Sequence, residues 1–140
     1  MRIYINAKQI KKRGAAVASV PYELNSIPHT LRELITMLVL DGVRDYHHRI
    51  ENKEQVPVLS AEEMESMAQI GKIGFGIPFG SAPADAGEAV EAALQGYTDG
   101  LIRIFLNEEE TGGLDEPLTL REGDELTILR LVMLTGGFFR

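Results

Sequence analysis

LTLREGDELTILRLVMLTGG, residues Leu118–Gly137, decides how the rest of this 140-residue chain is read. PLTL (117–120) has the pattern of a short strand, REGD (121–124) that of a turn, and ELTILRLVMLT (125–135) that of a long strand apolar on both sides. Such a run fits a central strand with neighbours on both edges and a covering layer on at least one face. The last strand therefore sits inside a sheet.

Its neighbours come from the other end of the chain. RIYIN alternates, with Ile3 and Ile5 on one face, and AVASVPYEL is rich in β-compatible residues. Between them the basic cluster Lys8–Arg13 and Gly14 supply a hairpin turn. Pro21 has no N–H for a ladder, so the second strand is predicted to be an edge strand, or bulged there, with the first strand further inside. Thr30 and Glu33 form a capping box, and Leu31, Leu34, Ile35, Leu38 and Val39 follow at helical spacing. Gly42 interrupts that pattern, while Val43, Tyr46 and Ile50 continue it, so either one bent helix or two is expected. If the last strand lies beside the first, the two run parallel, and the helix from Thr30 is the natural cover for the right-handed crossover this requires.

Residues 51–100 differ in character and read as an insertion in a single domain, 1–140. Ser60 and Glu63 make a second capping box that opens AEEMESMAQI as a helix. GKIGFGIPFGSAPADAG reads as a glycine- and proline-rich loop, and AGEAVEAALQGY as a helix closed by GYTDG. LIRIFL then alternates as a strand, and NEEETGGLDE turns. The whole is an α+β chain, a β-grasp: a mixed sheet covered by a helix, with a roughly 50-residue helical and loop insertion before the last strands.

Composition narrows the function. Hydrophobic residues make up 44% and charged residues 25%, the balance of an ordinary soluble domain. A net charge of -7 repels a phosphate backbone, which argues against nucleic acid as a partner. The absence of cysteine removes thiol nucleophiles and thiolate metal sites. With no signal-peptide-like opening and no spanning-length apolar run, the expectation is a cytoplasmic protein without membrane contact.

The early hairpin, the capped helix and the closing LTLREGDELTILRLVMLTGG resemble the ubiquitin-like superfamily, and within it the sulfur carriers of thiazole and molybdopterin synthesis. The likeness spans roughly 90 residues, with the insertion outside it. It implies that Gly137 is the reacting residue and Gly136 its slender neighbour. An ATP-dependent activating enzyme would adenylate the glycine carboxylate, which then becomes a thioester, thiocarboxylate or isopeptide bond. Lacking Cβ atoms, two glycines suit entry into a narrow channel. Here Phe138, Phe139 and Arg140 follow, so a peptidase would first have to cleave after Gly137. The other reading makes Gly136-Gly137 a turn that returns Phe138 and Phe139 to an apolar groove or a partner; Gly112-Gly113 is another such pair.

Other motifs carry less. GKIGFGIPFG lacks the GK[ST] of a phosphate-cradling loop, but Ile73, Phe75, Ile77 and Phe79 alternate through it, giving a hydrophobic face that is either core or a binding edge. His47 and His48 point about 100° apart on a helix, so with Asp45 they make no metal site. The acidic runs lack the paired, buried setting of acid–base carboxylates, and no nucleophilic constellation is recognisable. The sequence thus predicts a non-enzymatic, cofactor-free protein that acts by protein–protein binding, with Phe75, Phe79, Phe138 and Phe139 as partner-binding candidates. Its alternative is a modifier or sulfur carrier processed at Gly136-Gly137. The oligomeric state is left open.

Overall fold

The computed structural model describes residues 1–10, 15–51, 66–76 and 85–131. The elements run β1 (Arg2–Ile10), β2 (Ala15–Glu23), α1 (Leu31–Glu51), α2 (Met67–Phe75), α3 (Ala86–Thr98), β3 (Ile102–Leu106), β4 (Glu109–Glu110) and β5 (Glu125–Leu131). Five strands form one sheet in the order β2-β1-β5-β3-β4. β1 and β5 are parallel, and the other neighbours are antiparallel. This is the β-grasp arrangement, with β5 central and β2 at an edge. Pro21 lies in that edge strand, where a missing N–H costs nothing to the ladder.

One face of the sheet is covered. Ile3, Ile5 and Ala7 of β1, Ile102 and Ile104 of β3, and Leu126 and Ile128 of β5 are buried against Leu31, Leu34, Ile35, Leu38 and Val39 of α1. The start of α1 is fastened from both sides. Thr30 Oγ1 accepts from Glu33 N at 3.2 Å, and the Glu33 carboxylate reaches back past Thr30 to His29 N at 2.9 Å. From the loop before β5, the Leu114 carbonyl accepts Arg32 N at 2.9 Å, and Asp115 takes two hydrogen bonds from the Arg32 guanidinium, 2.8 and 3.0 Å long.

α1 is one unbroken 21-residue helix, because Gly42 is a contact rather than a break. A Cβ there would lie 3.0 Å from the Met67 carbonyl oxygen and 3.7 Å from Gly71 Cα, so the missing side chain is what lets α2 cross closely. The insertion helix α2 in turn packs on β1, β2 and β5. At Gly74 a Cβ would meet Ile128 Cγ2 at 3.1 Å and Ala7 Cβ at 3.2 Å.

Three local expectations change. GKIGF (71–75), read as loop, is the second half of α2. Each glycine weakens a helix by about 1 kcal/mol relative to alanine, but small residues on this helix allow contact with α1 and the sheet at once. The described helix is capped by Ser66, whose Oγ accepts Gln69 N at 3.2 Å; the expected Ser60–Glu63 box lies outside the described residues. PLTL is not a strand. Pro117 makes only an isolated bridge to Thr30, and Leu120 turns into the core. Finally, Lys8, Gln9 and Ile10 belong to β1 rather than to the hairpin turn.

Candidate interaction surface

The side chains that alternate with the buried ones point to the other face of the sheet, on which no helix of the described residues lies. Paired residues share a face, so the register gives its map. Tyr4 stands between Pro21 and Glu125. Asn6 stands between Ser19 and Thr127, with Phe105 beyond. Lys8 stands between Val17 and Leu129, with Arg103 beyond, and Ile10 lies beside Leu131.

Chemistry is graded along the strands. At one end Ile10 is 40% exposed, Val17 42% and Leu131 38%, next to half-buried Leu129. Lys8 and Arg103 frame this apolar end, and no ion pair among the described residues engages either. The middle is polar, where Ser19 Oγ donates to Asn6 Oδ1 at 2.8 Å. At the far end Tyr4 is exposed, Glu125 flanks it, and Glu23 is drawn to the N-terminal ammonium at 2.9 Å and to Arg2 at 3.5 Å. Those contacts hold the Glu23 carboxyl below its ordinary value, the N-terminal ammonium contributing most. In a chain of net charge -7, the apolar end of the open face is locally basic.

Clefts lined by described residues also lie elsewhere. One, of about 420 Å³, runs between the end of β2 and α1 and is lined by Tyr22, Asp41, Arg44, Asp45 and His48. Its carboxylates hold the fold together: Tyr22 donates to Asp41, which also accepts from Arg44 at 2.7 Å, and Asp45 accepts Ala68 N at 2.9 Å, tying α1 to the start of α2. Burial, reinforced by Asp41, pushes the Tyr22 phenol well above its ordinary value, so it stays a neutral donor. Another cleft, about 240 Å³, lies between Leu31 and residues 109–119. There Glu116 folds back onto Gly113 N at 2.6 Å. On the covered face, Arg130 Nε donates to the Ile73 carbonyl at 3.1 Å, placing a cation at the C-terminal end of α2, and burial lowers its pKa.

Of the residues singled out from sequence, Phe75 is 6% exposed and belongs to the core beneath α2, so its side chain offers no docking surface. Phe79, Gly136, Gly137, Phe138 and Phe139 lie outside the described residues. Among the described residues no group of three His, Asp or Glu side chains is placed to hold a metal ion, and no helix is long and apolar enough to cross a membrane.

The open face went unread because its members are far apart in sequence. The available signal was the second half of each alternation: Tyr4 and Asn6 lie between the buried residues of β1, and Lys8 and Ile10 continue the same period of two. Comparison with protein-family models, curated proteins and solved structures finds no match to this chain.

Proposed function

We propose that this chain is a protein-binding module that docks a partner on the open face of its sheet. The observation that carries this reading is the cluster of exposed Ile10, Val17 and Leu131 on paired strands, framed by Lys8 and Arg103. Exposed apolar side chains held on a rigid sheet lose little entropy when covered, and the two cations favour a partner patch that is apolar and edged with carboxylates. The β-grasp topology supports the likeness to ubiquitin-like proteins, which the reading takes as its family context.

Photo-crosslinking tests it. A crosslinking residue at position 10 or 131 is expected to trap a discrete partner in native cells, whereas the same residue at exposed Glu91 on α3 does not. The double variant Ile10→Asp, Leu131→Asp should lose the adduct while keeping its circular dichroism. Equal labelling from all three positions, or an adduct that survives the double variant, overturns the reading.

A second reading, a modifier or sulfur carrier activated at Gly137 after removal of Phe138–Arg140, is supported by the central β5. This strand runs parallel to β1 and leads in sequence to Gly136-Gly137. It requires an activating enzyme and a processing peptidase as partners. Intact mass of the protein from native cells decides it. Loss of three residues, absent in Gly137→Ala, supports processing, and a mass ending at Arg140 in every fraction retires it.

A further inference from the structure

The hydrogen-bond parity of β2 is fixed at its end. Leu24 N donates to the Met1 carbonyl at 2.8 Å, and residues 1 and 24 are opposite one another in the β1–β2 register. In an antiparallel ladder such pairs alternate, so Tyr22, Val20, Ala18 and Ala16 also bond inward to β1. A second bond agrees: Tyr4 N donates to the Asp124 carbonyl on the β5 side, so even residues of β1 face β5 and odd ones face β2. The odd residues of β2, Ala15, Val17, Ser19, Pro21 and Glu23, therefore point their backbone groups away from the sheet. Pro21 occupies one of these outward positions.

This edge is bare in a way that edge strands seldom are. Short length, bulges, charges and prolines normally blunt them. β2 is nine residues long and carries no charge from Ala15 through Tyr22, in a chain where one residue in four is charged. Only Pro21 interrupts it.

We propose that two copies of this chain pair edge to edge through β2, antiparallel about a twofold axis at Val17. In that register Val17 faces Val17 of the second copy, and Ala15 and Ser19 face each other twice. All of these residues carry an outward N–H and C=O, giving a self-complementary ladder of about six hydrogen bonds. Sliding the register toward Glu23 would bring the Pro21 ring against the partner's backbone, where a donor is needed, so Pro21 selects the axis. No like charges stand opposite in this ladder. The two Val17 side chains meet on the open face, each with Lys8 of its own copy as its direct cross-strand neighbour and Ile10 two residues further along β1.

A ladder this short buries less than the roughly 1,000 Å² of a stable interface, so the dimer is weak and forms at high concentration. Each copy carries -7, so added salt should tighten the pair by screening the repulsion. Partner docking on the open face is a separate matter, and neither proposal depends on the other.

Sedimentation velocity of the full chain from micromolar to millimolar concentration tests this, with amide exchange at Val17 and Ser19. The wild type should shift from monomer to dimer, more readily at high salt, with slower exchange at those two amides as the dimer fills. Val17→Pro deletes an N–H that β1 does not use, and Val17→Lys sets two cations face to face. Each should raise the dissociation constant at least ~10-fold. Circular dichroism identifies the folded variants; should Val17→Pro not fold, Val17→Lys carries the test, since it alters only an exposed side chain. A chain that stays monomeric at millimolar concentration, or a dimer that a folded variant leaves at wild-type strength, overturns the proposal.

Discussion

The two faces of the sheet are built by the same strands and have opposite fates. On β1, Ile3, Ile5 and Ala7 are fully buried, while Tyr4 and Ile10, one residue away from buried neighbours or half-buried ones, are 46% and 40% exposed. Hydrophobicity alone does not separate them, since isoleucine appears on both sides. What separates them is where α1 and α2 lie. The covered face sets stability, because each methylene removed there leaves a void between close-packed layers. The open face sets what the molecule can touch, because its side chains already meet water and contribute little to folding.

The largest expected effect tests that division directly. Ile128→Ala empties a site enclosed by the sheet and Gly74 of α2, and it should cost about 3 kcal/mol in urea unfolding. Leu131→Ala, three residues along the same strand but on the open face, should stay within about 0.5 kcal/mol. Comparable losses at both positions would break the comparison and mean that something covers the open face.

Next comes the covering layer itself. Gly74→Val pushes a branched side chain into Ile128 and Ala7, and about 1–3 kcal/mol of destabilisation is expected from overpacking. Gly42→Ala sharpens the point, because alanine gains roughly 1 kcal/mol in helix propensity yet its Cβ meets the Met67 carbonyl at 3.0 Å. A backbone oxygen yields less readily than a side-chain tip, so the expected sign is destabilising. A more stable Gly42→Ala protein would show that α2 is free to move away from α1.

These glycines also mark where the sequence was legible. β1, β2, β3, β5, α1 and the parallel β1–β5 pairing could be read because alternation, the Thr30 cap and the apolar run of β5 are local patterns, whereas two-residue β4 falls in NEEETGGLDE, which reads as a turn. α2 could not. A helix with Gly71 and Gly74 looks like a loop when propensity is read alone, and only the proximity of Ala7, Gly42 and Ile128 explains why small residues are wanted there. Alternation through GKIGFGIPFG left Phe75 as core or binding edge and concealed the helical period that makes it core. The open face was invisible for another reason: Val17, Lys8, Leu129 and Arg103 form one row only after four strands have been put in register.

Tyr22 joins the edge strand to the covering helix, and its effect should be smaller and pH-dependent. Tyr22→Phe removes the donor to Asp41, which keeps Arg44, so a loss of about 1–2 kcal/mol is expected at neutral pH. The folded protein raises the phenol's pKa above its unfolded value near 10. Its stabilising contribution is therefore complete below about pH 10 and declines as pH rises further toward the folded value. Chemical denaturation between pH 8 and 11 should show the wild type losing its advantage over Tyr22→Phe as alkalinity increases. A constant difference would mean that folding does not raise the phenol's pKa.

The smallest effect concerns a polar atom on the covered side. Gln69 is 4% exposed on α2, and its Oε1 has no hydrogen-bond partner among the described residues. An unpaired buried amide oxygen forfeits its hydration and receives nothing in exchange, so Gln69→Met, similar in length and apolar, should be neutral or stabilising by up to about 1 kcal/mol. The same substitution at an exposed position of the open face, Ser19→Met, relieves no buried atom and breaks the Asn6 contact, so no gain is expected there. If Gln69→Met instead destabilises the protein, the side chain serves a contact that matters more than its unpaired oxygen costs. The covered layer would then have a polar requirement that its otherwise apolar packing does not show.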